Sequence, residues 1–128
     1  MNRQSIMKKL ARITGVLVIL WLALAAWVYT SPLVVLHYAT SAAKPVSYFF
    51  NEDDHITKEY ISPGARVEFR TAHRPRPDYY ISVSIPLASR DYVEIKPPFS
   101  RVDVYIGADT KIARTVVKTE FFARFITK

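Results

Sequence analysis

Between Arg12 and Lys44 no residue carries a fixed charge, and within that gap residues 13–29 read ITGVLVILWLALAAWVY. A helix that is apolar all round needs a large protein core or a bilayer to take its side chains out of water. In a bilayer it also satisfies every backbone group internally. Crossing the hydrocarbon core takes about 20 apolar residues at roughly 1.5 Å each. The run therefore predicts a transmembrane helix over residues 13–36, extended past Tyr29 through a kink at Pro32. Residues 37–45 are then expected as a linker. Ser31-Pro32 also fits a helix N-cap followed by proline at the first helical position, with residues 33–43 as a second helical piece.

Charge sets the expected orientation. Arg3, Lys8, Lys9 and Arg12 precede the apolar run, and only Lys44 follows it before Glu52, Asp53 and Asp54. The positive-inside rule keeps residues 1–12 cytoplasmic and exports the rest. Trp27 and Tyr29 stand where an interfacial aromatic belt belongs. The same segment fits a cleaved signal peptide, with a basic n-region, an apolar h-region over residues 13–22 and Ala23-Leu24-Ala25 as a small-x-small site. Retention is preferred because apolar character continues through Trp27, Val28 and residues 33–36.

The chain has 128 residues and a net charge of +7. Residues 1–50 hold five basic residues and no acid, whereas residues 51–128 hold thirteen Lys/Arg against eleven Asp/Glu. Most of the basicity thus belongs to the anchor, and a nucleic-acid-binding reading of the charge is not supported. The chain contains no cysteine, which removes disulfides, thiolate metal ligands, a cysteine nucleophile and a lipobox together. With no glycosylation sequon either, composition leans toward a bacterial envelope protein in the inner membrane, with its C-terminal domain in the periplasm.

From residue 46 the hydrophobic period becomes alternating, broken by turn residues every eight to twelve positions. Strands are expected over residues 46–50, 56–61, 66–71, 78–85, 91–96 and 101–106. Residues 111–126 supply two more, or one bent strand with Phe121 and Phe125 on one face. Tyr79, Ile81, Val83 and Ile85 should point inward, as should Val102, Val104 and Ile106, with Arg101, Asp103 and Tyr105 outward. Seven to eight strands without a convincing helix indicate a small all-β domain over residues 46–128, a β-sandwich or small barrel, with an antiparallel sandwich of immunoglobulin-like type preferred.

No catalytic signature is present: the chain lacks Gly-x-Ser-x-Gly, His-Glu-x-x-His and any Gly-rich phosphate loop, with three glycines in all. His37, His55 and His73 share no metal-ligand spacing, and residues 51–55 read as an acidic turn rather than a cation site. No metal, cofactor or catalytic residue is expected. A proline-stiffened basic stretch, Arg70, His73, Arg74 and Arg76, fits an anionic partner: a phosphate or carboxylate, an acidic headgroup or an acidic protein. Tyr48, Tyr60, Tyr80, Tyr92 and Tyr105 alternate with core positions. Of these, Tyr80, Tyr92 and Tyr105 join the basic stretch as the expected partner-binding surface, since Tyr and Arg are enriched at protein interfaces. The resulting expectation is a single-pass membrane protein, contacting lipid through its helix and holding a protein partner on the far side. A released carrier of a small ligand is the alternative, and a small hydrolase a remote third.

Overall fold

The computed structural model describes residues 2–73 and 75–125. They form two compact units, Met1–Thr30 and Ser31–Lys128.

The first unit is one helix, α1, Arg3–Tyr29. Asn2 caps it, its side-chain oxygen accepting from the Gln4 N–H at 3.3 Å. At 1.5 Å per residue its 27 residues extend about 40 Å. None of them is buried, and length and composition suffice to cross a membrane. Thr30 stops the helix, its N–H and hydroxyl both bonding to the Ala26 carbonyl, at 3.0 and 2.6 Å. Pro32 follows and has no N–H to donate.

The expected continuation of the helix to residue 36 is thereby corrected. Residues 33–38, read as helix end and linker, form a strand, β1 (Leu33–Tyr38), inside the second unit. Leu33, Val34, Val35 and Leu36 are all buried. An unbroken apolar run is what a strand covered on both faces requires, and single-sequence periodicity cannot separate it from helix.

Seven further strands follow: β2 Val46–Glu52, β3 His55–Ile61, β4 Arg66–Arg70, β5 Ile81–Ser84, β6 Tyr92–Ile95, β7 Arg101–Ile106 and β8 Ile112–Lys118. They build two four-stranded sheets, ordered β4-β1-β7-β8 and β3-β2-β5-β6. The second sheet is antiparallel throughout. The first is mixed, because β1 runs parallel to β7 with Leu33 opposite Arg101. Nor is the strand order that of an immunoglobulin constant domain, where the first strand pairs with the second; here β1 lies between β4 and β7, in the sheet opposite β2. The expectation of a purely antiparallel, immunoglobulin-like sandwich is corrected to two sheets of this order. It failed because β1 was missed, and β1 alone supplies the parallel pairing.

Alternation dictates the shared core. Val34, Leu36, Val102, Val104 and Ile106 from one sheet meet Val46, Tyr48, Phe50, Ile81, Val83 and Ile95 from the other. Phe69 of β4 bridges the layers, stacked on Phe50 with centroids 3.9 Å apart and edge-on to Tyr48 at 6.1 Å. Tyr48, read with the outward tyrosines, is thus fully buried. The acidic turn is a two-residue hairpin loop: Asp53 and Asp54 both have positive φ, 49° and 71°, between the closing pair Glu52 and His55. Such loops need left-handed residues, and Asp tolerates that region. After β8 the chain forms a 3-10 turn, Phe121–Phe125, instead of a further strand.

Candidate functional site

Register decides which of the expected surface residues meet. In the β3-β2-β5-β6 sheet, one outward row runs Lys58, Phe49, Ser84, Tyr92 and the next Ile56, Asn51, Ser82, Glu94. Tyr80, immediately before β5, continues the outward alternation of Ser82 and Ser84. Its hydroxyl donates to the Asp54 carboxylate and accepts from Asn51 Nδ2 at 3.5 Å. Arg76 joins through an ion pair with Asp53 in the hairpin loop. Tyr80, Tyr92 and Arg76 are therefore associated with one sheet.

Arg70 and Tyr105 belong to the other. Arg70 pairs with Leu33, and Tyr105 with His37 and Arg114. His73 lies in the loop after β4, half-buried, and Arg74 lies outside the described residues. The single surface expected from sequence is thus split between the outer faces of two sheets, because β4 and β5 stand in different layers.

The β3-β2-β5-β6 face carries the more exposed apolar material. Tyr60 and Tyr92 are each 69% exposed and Ile56 60%, on the two edge strands. Between them the central strands present Phe49, Asn51, Ser82 and Ser84, while Ser47 opposite Tyr60 is buried. Phe49 lies under Lys58, whose ammonium is 5.7 Å from the ring centroid. Tyr60 and Ile56 were missing from the expected surface; strict alternation outward from the buried Ile61 would have found them.

The outer face of the β4-β1-β7-β8 sheet holds an ionic cluster that sequence reasoning did not anticipate. Arg101 and Asp103, two apart on β7 and read as solvent-facing, are buried. The guanidinium grips the carboxylate through Nε at 2.9 Å and Nη2 at 3.0 Å. His37 Nε2 lies 2.7 Å from the same carboxylate's Oδ1 and donates to it. Burial acts to raise the Asp103 pKa, but the hydrogen bonds and charges of Arg101 and His37 outweigh it and hold the carboxyl below its ordinary value. The His37 ring stacks on Tyr105, centroids 4.5 Å apart and planes 9° from parallel. The Arg114 guanidinium lies 4.2 Å from the Tyr105 centroid. One row across three strands is therefore imidazole, phenol and guanidinium, resting on a carboxylate held from two sides. The arrangement satisfies two buried charges and fixes register between β1 and β7.

At the end of the domain where β1 begins, a cavity of about 160 Å³ is walled by Pro32, Thr71, His73, Tyr79, Pro98 and Phe99. That volume admits one ring-sized group, since an apolar cavity near 150 Å³ holds benzene. The Tyr79 hydroxyl is buried and completes no hydrogen bond. Burial first, then the Glu52 charge, push its pKa up to about 12, with the Ala72 backbone and Thr71 hydroxyl near enough to oppose the shift. Among the described residues no three His, Asp or Glu side chains converge as metal ligands. Compared with protein families, curated proteins and solved structures, the chain matches none.

Proposed function

We propose that this chain is a membrane-tethered binding module of a bacterial envelope: N-terminus in the cytoplasm, helix across the inner membrane, β-domain in the periplasm holding a protein partner. One observation carries the reading: a 27-residue helix with no buried residue, apolar and uncharged over residues 13–29, whose cap Thr30 is followed within three residues by the first strand of a compact domain. Tethering raises the module's concentration at the membrane, so a modest interface suffices. The partner face is the outer side of the β3-β2-β5-β6 sheet, with Tyr60, Tyr92 and Ile56 on its edge strands as anchors. Tyrosine is among the residues enriched at interface hot spots.

The test is the intact mass of the protein in the membrane fraction of its host, followed by alkaline extraction. Retention at 14.7 kDa in the alkali-resistant pellet supports the tether. A soluble exported species lacking the first 25 residues overturns it.

That second reading, a released periplasmic binding protein cleaved near Ala25, gains from one observation. Residues 33–36 are buried inside the domain, so they would not leave a mature chain with an apolar tail. Only residues 26–29 then argue for retention by their apolar character.

A further inference from the structure

The 3-10 turn Phe121–Phe125 ends the described chain with three phenylalanines in mutual contact. Phe121 and Phe122 meet edge-on at 5.2 Å, and Phe125 lies 5.8 and 6.3 Å from them. None is buried in the domain core: Phe121 is 49%, Phe122 75% and Phe125 46% exposed. Only Ala123 of this turn faces inward. The Arg124 guanidinium lies 4.4 Å from the Phe121 centroid, and its Nε donates to the Phe121 carbonyl at 2.8 Å. A cluster of exposed rings with a cation laid across it is costly in water and unexplained by folding.

Its position explains it. The Ser100 hydroxyl donates to the Glu120 carbonyl at 2.5 Å, and the Ser100 N–H to the Lys118 carbonyl at 2.8 Å. The Ser100 carbonyl accepts from the Leu33 N–H at 3.0 Å. Two hydrogen-bonded steps therefore fasten the start of the phenylalanine turn to Leu33, three residues after the helix cap Thr30. Three residues of chain reach at most about 11 Å. The same end of the domain carries the register row Arg70, Leu33, Arg101, Lys118. It also carries the basic loop that begins at Thr71, whose N–H and hydroxyl bond to the Pro32 carbonyl at 2.9 and 3.1 Å.

We propose that the Phe121, Phe122 and Phe125 cluster, with Arg124 against it and Lys118 and Arg70 at the same end of the sheet, is a second membrane contact: a foot that seats the domain on an anionic phospholipid surface. The inference rests on the tether reading. Aromatic rings enter the headgroup–acyl boundary while neighbouring Lys and Arg meet phosphates, the division of labour of interfacial protein segments. One covalent tether would let the domain tumble; a second contact at the same end fixes which face it turns to the periplasm. The outer face of the β3-β2-β5-β6 sheet would then be held at a constant attitude toward a partner.

The absence of cysteine makes single labelling sites straightforward. The full chain carrying Leu20→Cys, Phe122→Cys or Ala108→Cys is spin-labelled in vesicles of phosphatidylethanolamine and phosphatidylglycerol. Position 108 lies in the β7–β8 turn, at the opposite end of β7 from Arg101. Collision with oxygen relative to aqueous nickel reads depth at each site. The foot predicts severalfold higher oxygen preference at 122 than at 108, with 20 deepest. It also predicts loss of that preference at 122 when Phe121→Ser and Phe125→Ser are added and the tyrosine near-ultraviolet signal stays native. Lipid protection at 20 with an aqueous label at 122 overturns the foot and leaves the tether; the rings would then serve a protein partner. Aqueous labels at both 20 and 122 overturn both.

Discussion

Replacing Asp103 with leucine takes from the fully buried Arg101 guanidinium the carboxylate that accepts two of its hydrogen bonds. Asp103 accepts two hydrogen bonds from Arg101 and one from His37. At about 1.5–3 kcal/mol for each charged hydrogen bond, the gross loss is roughly 4–9 kcal/mol. Removing both charges' desolvation cost is not possible with one substitution, and relaxation with water entry returns part of the loss. The expected net cost is therefore about 3–5 kcal/mol, the range for breaking one side of a buried pair. For a domain of this size that lowers the melting temperature by at least about 12 °C, at roughly 4–8 °C per kcal/mol. The companion Arg101→Met/Asp103→Leu removes both charges and should recover most of the loss, since apolar replacement of a buried pair is often neutral. Unfolding is followed in detergent by tyrosine near-ultraviolet dichroism. Both tryptophans, Trp21 and Trp27, belong to the helix and do not report on the domain. A single-variant cost below about 1 kcal/mol, or single costs that simply add in the double variant, would refute the argument. The pH dependence follows from direction alone. The Asp103 pKa is lowered in the fold from 3.8, so its stabilisation is whole above about pH 4. It is lost as pH falls through the folded value, and Asp103→Leu should flatten that part of the acid limb.

Three further outcomes are expected. Phe50→Ala removes a ring stacked between the sheets and should cost about 3–5 kcal/mol by urea denaturation; a cost under about 1 kcal/mol would mean the layers are not joined there. Gly64 has φ +77° and an added Cβ would lie 3.1 Å from Thr40 Cγ2, so Gly64→Ala should cost roughly 1–2 kcal/mol, while an unchanged melting midpoint would contradict that turn geometry. Burial first, and then Glu59 for Tyr48 and Glu52 for Tyr79, raise both phenols from 10.0 to about 12. Their contribution is whole below pH 10 and lost as pH rises toward 12, so Tyr79→Phe should flatten part of the alkaline loss in a denaturation series; an identical profile would remove Tyr79 as a source.

The helix was readable from composition alone, because no side chain between Arg12 and Lys44 carries a fixed charge. Strands such as β5 and the core side of β7 were readable because one face is wet and one is dry, which prints a period of two. Central position in a sheet erases that print. β1 lost it entirely: its run Leu33 to Leu36 is buried on both faces, and it looked like more of the preceding helix. Without β1 there was no parallel pairing to expect and no layer in which to seat Arg70 away from Tyr80.

The outer face of β7 failed for the opposite reason. Arg101 and Asp103 are charged, and charge in an alternating strand reads as solvent-facing. Each supplies the other's counter-charge, which is why burial is tolerable, and His37 reaches them only because β1 lies beside β7 in parallel register. That partner is 66 residues away along the chain. An apolar segment able to cross a membrane and a β-domain after it were legible along the chain, since both depend on local periodicity and length. Strand order, the buried ionic cluster and the grouping of the exposed rings emerge from the folded domain, because they depend on which distant strands become neighbours.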